Sequence, residues 1–336
     1  MMINTKNIST VKEKMESFYS RPFYFSYSGL SKLKYSPALF FKHYVLEERE
    51  DKEEDYFIEG RLTHSLLLED SYFNDHFILV PKSFPSDNTR KVIDSVFALR
   101  DDRENLEDYK DEIVNVLKDI NLHQSLKTDA QRIEKIATDE SKSYWEFLKI
   151  KGNKTLVDQE TYDTCKDAVE AIKQNSKVCD LLGLYANEMD DVEIFNEKPL
   201  EATVENFPFG LRGIIDNYKI DHKNKVIYIN DVKKTNKSLL NFKETVEYYN
   251  YWIQAAIYVR LVLFNLNYHL RNASWKVVFH FVVVDKYNQV YPFEVSEETM
   301  KLWQENFDVE LTKAKWHYEK KDFSLPYELA TGEMKL

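Results

Sequence analysis

Residues 226–237 read VIYINDVKKTNK. Val226, Ile227, Tyr228 and Ile229 are β-branched or aromatic and predict a strand, which then runs into Asp231 and Lys233. Strand side chains alternate, so Ile227, Ile229, Asp231 and Lys233 share one side. A charged pair on a face that is apolar two residues earlier needs a metal, a counter-charge or water. The spacing alone decides nothing, because acid-x-Lys triplets also begin at Glu50, Asp108, Glu140, Asp221, Glu319 and Glu333. Those fall in segments that read as helix, tail or hairpin loop.

Asp216 strengthens the case. In GLRGIID (210–216) it follows Ile214 and Ile215, inside the preceding strand. A hairpin with a loop of even length brings Asp216 and Asp231 to the same face, opposite or diagonal to one another. Two close carboxylates repel, and one is driven to protonate unless a cation separates them. Oxygen donors of this kind suit Mg²⁺ or Mn²⁺. Gly213 leaves room for close backbone approach. The alternative is an acid salt-bridged to Lys233 or Arg212.

Other chemistry-bearing residues lie on flanking elements. Gln254 and Tyr258 are four apart on one helix face, with Tyr251 beside them. A core glutamine with satisfied hydrogen bonds is the plainer reading of Gln254. His64 follows Gly60 by four residues on an earlier helix, and a lone histidine there is usually structural. Glu201 opens the strand pattern LEATVE and by itself is an ordinary strand-end acid.

The surrounding pattern predicts an α/β protein. EATVE, GLRGIIDNYKI and KVIYINDVK read as three successive strands, with DHKNK as a hairpin loop. The segment 242–266 reads as one long helix, apolar enough to be buried on most sides. The near-continuous apolar run 274–285 suits a central strand covered on both faces, and NQVYPFEV pairs with it. A last helix starts at the N-cap Ser296. Near the N-terminus, Ser28 precedes a short helical pattern, and Ser36–Pro37 is an N-cap followed by proline. In YFIEGRLTHSLLLE, Leu62, Leu66 and Leu67 fall on the buried side, after a solvated charge run at 46–55. We divide the chain into a flexible leader (1–22), an N-terminal helical part of the core (23–85), a charged helical insertion (86–195), an α/β core (196–325) and a tail (326–336).

With 336 residues, 43% hydrophobic, the chain can build a sizeable core or a core with an appended domain. No apolar run approaches a membrane span, and the N-terminus has no apolar signal region, so no membrane association is expected. Two cysteines, Cys165 and Cys179, are too few for a disulfide framework or a zinc or iron–sulfur cage, and fit a cytoplasmic location. The net charge of −11 gives no general reason to expect nucleic-acid binding, although a local basic groove is compatible with it.

Taken in order, these residues form a set: Gly-x-x-x-His, Glu, Gly-x-x-Asp, Asp-x-Lys and Gln-x-x-x-Tyr. The set resembles the PD-(D/E)XK nuclease superfamily, in its RecB-like branch, and is most similar to phage-type exodeoxyribonuclease VIII. The likeness runs from about Tyr24 to Trp316 and covers the insertion poorly. It includes YSGLSKLKYSPALFFKHYV, EGRLTHSLLLE, LEATVENFPFGLRGIID, YINDVKKTN and YWIQAAIYV. Lys234 departs from it, standing where threonine is common.

The resemblance implies a restriction-endonuclease-like core and a Mg²⁺-dependent DNA exonuclease, phage-encoded, that makes single-stranded ends for recombination or repair. Asp216 and Asp231 would be the main metal ligands and the Val232 carbonyl a third, with His64 and Glu201 completing or bordering the site. Lys233 would orient the attacking water and stabilise negative charge. Gln254 and Tyr258 would position the phosphate or Lys233. Lys234, Lys237, Lys243 and Arg212 are the candidate DNA contacts, against an ordinary exposed basic loop. DNA is the expected partner, with a single-strand annealing protein and a homo-oligomer as further expectations of the resemblance. The rival readings are a structure-specific or nicking endonuclease, a non-catalytic DNA-binding protein and an unrelated hydrolase of small phosphoesters.

Overall fold

The structure is a computed structural model that describes residues 5–49, 55–69, 72–187, 191–266 and 275–334. Residues 50–54 of the charge run, Ser274 and the extreme ends of the leader and tail lie outside the described residues. The chain forms two compact units, Met1–Glu69 with Asp167–Leu336, and Asp70–Lys166.

The first unit opens with helix α1 (Thr5–Tyr19), strand β1 (Tyr24–Phe25), α2 (Tyr27–Tyr35), α3 (Pro37–Phe40) and α4 (Asp55–Leu68). The leader is thus helical, and Phe18 is buried against Phe23 and Tyr318. Ser26, two residues before the expected Ser28, caps α2 by accepting from the Gly29 amide, and Ser36 caps α3. The second unit holds α5 (Tyr72–His76), β2 (Phe77–Leu79), α6 (Asp87–Ala98), α7 (Lys110–Asp119), α8 (Asp129–Ile136), α9 (Asp139–Lys151), β3 (Thr155–Val157) and the start of α10 (Gln159–Gln174). It has its own core, centred on Trp145, Tyr109 and Ile113. Beside those helices β2 and β3 form a short parallel pair.

The chain returns to the first unit through α10 and continues with α11 (Ser176–Leu182), β4 (Val192–Thr203), β5 (Gly210–Asp221), β6 (Val226–Thr235), α12 (Phe242–Tyr248), α13 (Tyr251–Asn265), β7 (Lys276–Asp285), β8 (Val290–Val295), α14 (Glu297–Lys320) and α15 (Tyr327–Ala330). One mixed sheet of six strands results, with helices on both faces. β4 and β5 pair antiparallel, β5 and β6 antiparallel, β6 and β7 parallel, and β7 and β8 antiparallel. β7 is central, and its side chains feed two cores. Phe279, Phe281 and Val283 pack with α13 residues such as Ile253 and Ile257, while Val282 and Val284 pack with Leu67, Val169 and Leu182. That double burial explains its unbroken apolar sequence. The expected single helix at 242–266 is two, broken at Asn250, whose φ of 55° is left-handed.

The sheet parts along one seam. The β5–β6 ladder stops at Asn217↔Asn230, and β1 pairs with the far end of β5 at Gly210 and Leu211. With β4 on one side of β5, β1 must lie on the side that β6 has left, so the sheet is split between Asp216 and β1.

A polar row crosses the sheet just before the split. Asn196, Asn217, Asn230, His280 and Glu294 are successive cross-strand partners. Asn230 donates to Asn217 and Asn217 to Asn196, each at 2.7 Å. The same amides reach the helices behind: Asn217 donates to Leu182 O, Asn230 to Leu181 O and Asn196 to Leu68 O. Lys219, on the same face, donates to Asp180 O. The last carbonyls of α11, which lack partners within their own helix, are therefore satisfied from the sheet.

His280 continues this row into a buried place. Burial lowers its pKa to about 4, and the Glu294 carboxylate 3.7 Å away offsets this only in part. The folded protein binds this proton less readily than the unfolded chain, so the stability is full above about pH 6.5 and is lost as pH falls toward about 4. The loss is roughly 3 kcal/mol. Urea unfolding from pH 7 to 4.5 should show a smaller fall for His280→Gln than for the parent.

Candidate metal centre

The acids sit on neighbouring strands at one level. The β4–β5 register, between Asn196↔Asn217 and Lys198↔Ile215, sets Glu197 opposite Asp216, and one step past the last β5–β6 pair sets Asp216 opposite Asp231. Because adjacent residues alternate faces, the polar row fixes this second row. The dipeptides are Asn196–Glu197, Asp216–Asn217 and Asn230–Asp231, their order reversing from strand to strand as antiparallel pairing requires.

Where β5 and β6 part, side chains replace the ladder. The Val232 amide donates to Asp216 Oδ2 at 2.8 Å, and the Val232 carbonyl lies 2.9 Å from His64 Nε2. His64 Nδ1 is 3.1 Å from Glu197 Oε1, and Nε2 is 3.6 Å from Asp216 Oδ2. Both ring nitrogens thus face acceptors, which calls for a proton on each. Burial opposes that charge, but Asp216 and the hydrogen bond to Glu197 outweigh it and raise the His64 pKa to about 9.

Asp231 is fully buried, and neither of its oxygens makes a hydrogen bond of good geometry. Lys233 Nζ lies 2.6 Å from its Oδ2 as an ion pair, and 4.9 Å from the Tyr251 ring centre. Burial raises the Asp231 pKa well above the ordinary carboxylate range; Lys233 opposes the rise and Asp216 adds to it. Burial acts against the Lys233 charge, yet Asp231 and Asp216 hold its pKa above the ordinary lysine value. On the α13 side, Gln254 donates to the Tyr258 hydroxyl at 2.9 Å, which donates to Asp216 Oδ1 at 3.4 Å. Burial, and after it Asp216, raises the Tyr258 pKa, so the hydroxyl keeps its proton.

His64, Glu197 and Asp216 offer ligand atoms that all lie within 4.8 Å of one another, and this group could hold a metal ion. Asp231 is outside that set, although its two unbonded buried oxygens belong to the same row. Such carboxylates fit a hard divalent cation, which would relieve their repulsion and satisfy them together.

The structure brings together His64, Asp216, Asp231, Val232, Lys233, Gln254 and Tyr258. Glu201 is not among them. It is exposed and paired in register with Arg212, four residues along β4 from Glu197, or about 13 Å of strand. Glu197 occupies the place expected of Glu201. The sequence reading begins this strand at 200, whereas β4 begins at Val192 and its φ of 43° at Glu197 is left-handed. The reversing Asn–acid dipeptides were the available signal. Lys234 is nearly buried and ion-paired with Glu59, while Lys237, Lys243 and Arg212 are exposed.

No protein-family model matches the chain, and no curated protein matches it by sequence. Among solved structures, a protein named "Putative exonuclease" from Eubacterium rectale is similar at a TM-score of 0.42 and 12% identity, over 100% of this chain and 89% of that one. That likeness is too weak to assign a fold family or an activity. Among the described residues, no helix is long and apolar enough to cross a membrane.

Metal titration separates the two glutamates. Glu197→Gln should weaken Mn²⁺ binding at least about tenfold, as loss of a ligand does, and Glu201→Gln should leave it within about twofold. Calorimetry checks both; equal effects would remove Glu197 from the site.

Proposed function

We propose that this chain is a metal-dependent deoxyribonuclease of the PD-(D/E)XK type. The supporting observation is the level row Glu197, Asp216 and Asp231 at the parting of β5 and β6, with Lys233 two residues beyond Asp231 on the same strand. The motif order in the sequence takes this reading further, to a phage exonuclease that prepares single-stranded ends for recombination beside an annealing protein.

In this reading Glu197, Asp216 and Asp231, with His64 at their border, would hold Mg²⁺ or Mn²⁺. The ion supplies Lewis acidity toward the phosphate and lowers the pKa of bound water. Lys233, ion-paired with Asp231, would orient the water and stabilise the developing negative charge. Tyr258 fixes one Asp216 oxygen and the Val232 amide fixes the other, which leaves that carboxylate little rotational freedom. Gln254 Oε1 is buried without a hydrogen bond and remains able to accept one.

A second reading, an endonuclease with the same centre, calls for a direct comparison. Linear duplexes labelled at either end and closed circles are incubated with Mg²⁺, with and without chelator. We expect label release from the linear duplexes alone, abolished by chelator. Asp216→Asn and Lys233→Ala should each lower the rate on the order of 10²–10³-fold. Cutting of closed circles would select the endonuclease, and inertness on every DNA and RNA would remove the nuclease reading.

A further inference from the structure

A line of aromatic rings leads away from Lys233. Its ammonium lies 4.9 Å from the Tyr251 ring centre, and Tyr251 stacks on Tyr249 with centroids 5.5 Å apart and planes at 21°. Tyr249 meets Tyr248 edge-on at 4.9 Å. Lys237 Nζ closes the line, 5.3 Å from the Tyr248 ring and 5.9 Å from that of Tyr249. Tyr248 is 74% exposed, Tyr249 44% and the neighbouring Leu240 93%.

Tyr251 is half-buried and packs against the main core beside Phe281, whereas Tyr248 and Tyr249 are not core. The buried face of α12 is Phe242, Thr245 and Val246, and Tyr248 and Tyr249 fall outside it. Their placement is nonetheless held: Tyr27 donates its hydroxyl proton to the Tyr249 carbonyl at 2.5 Å, and Asn250 turns the chain through a left-handed φ. The exposed rings of Tyr248 and Tyr249, with Lys237 beside them and Tyr251 linking them to Lys233, suit unpaired nucleobases, whose rings stack while the ammonium groups meet phosphates. Exposed Glu244 and Glu247 on α12 disfavour a phosphate track along that helix, so stacking, not backbone tracking, has to supply the grip.

We infer that Tyr249 and Tyr248, backed by Tyr251, form a stacking platform on which the substrate strand enters the metal centre unpaired, its bases resting on these two rings and its phosphates on Lys233 and Lys237. This rests on the nuclease reading for the site at its inner end. It names the substrate as single-stranded DNA, or a duplex end that has frayed over the platform.

The test is fluorescence anisotropy with labelled oligothymidylate and an abasic strand of equal length, in Ca²⁺ in place of Mg²⁺. Both strands carry the same phosphates and only one carries bases. The parent should bind oligothymidylate at least about tenfold more tightly than the abasic strand. Tyr248→Ala/Tyr249→Ala should lose that preference, and Tyr248→Phe/Tyr249→Phe should keep it. Thermal melts that match the parent's show that the exposed substitutions leave the fold intact. A parent without preference, or an alanine variant that retains it, overturns the platform. A parent that prefers bases but cleaves no DNA upholds the platform and removes the nuclease reading. Cleavage of DNA without any base preference does the reverse.

Discussion

The asparagine row is the constraint on which the site depends. Asn217 donates to Asn196 and to Leu182 O, and accepts from Asn230, all within the sheet's buried face. Buried amides are costly unless paired, and in low dielectric each bond in such a chain also polarises the next. A slip of one residue in either strand pairing would bury these amides against the wrong partners and turn the acids to the opposite face. The row thus specifies register, and register sets Glu197, Asp216 and Asp231 level with one another. It reaches His64 as well. Asn196 holds the Leu68 carbonyl at the end of α4, the helix that carries His64.

Beyond that row the sheet opens, and the opening is where charge accumulates. Val232 has an amide and a carbonyl that would otherwise continue the ladder to β5, and Asp216 and His64 take them. Three carboxylates then face two cations, His64 and Lys233. Asp231 has the poorest provision, with its nearest cation at 2.6 Å but no well-formed hydrogen bond. Buried carboxylates so close to one another are normally avoided, and a fold that keeps them gives up stability for a site poised to receive positive charge.

Much of this was legible in the sequence, for reasons that can be named. The apolar run of β7 and the alternation into Asp231 pointed to the sheet, and Ser296 does cap α14, accepting from the Thr299 amide. Hairpin arithmetic put Asp216 and Asp231 on one face with a salt-bridged acid as the alternative, and motif order then singled them out. Glu197 was not legible, because Lys198–Pro199 resembles the end of a strand. Its position follows from the Thr203↔Gly210 pair once that register is known. His64 could be named only through motif order, since no local pattern ties a helix residue to a strand far along the chain. The Asn250 break was hidden by the hydrophobicity on both sides of it.

That break also explains how one stretch of sequence serves two environments. Tyr251, Gln254 and Tyr258 follow helical spacing and line the buried side of the centre. In a continuous helix Tyr248 would fall three residues before Tyr251 on that same face, and its ring would be driven toward the acids. The left-handed turn at Asn250 ends α12 and restarts the helix on a new axis, so Tyr248 and Tyr249 are released to solvent while Tyr251 stays beside Lys233. Asparagine tolerates this conformation better than any other non-glycine residue. Among the described residues, the released rings keep their order through mutual packing and the Tyr27 bond. An exposed row that the fold takes this trouble to arrange, continuous with a buried charge centre, is better accounted for by a ligand that bridges the two than by packing alone.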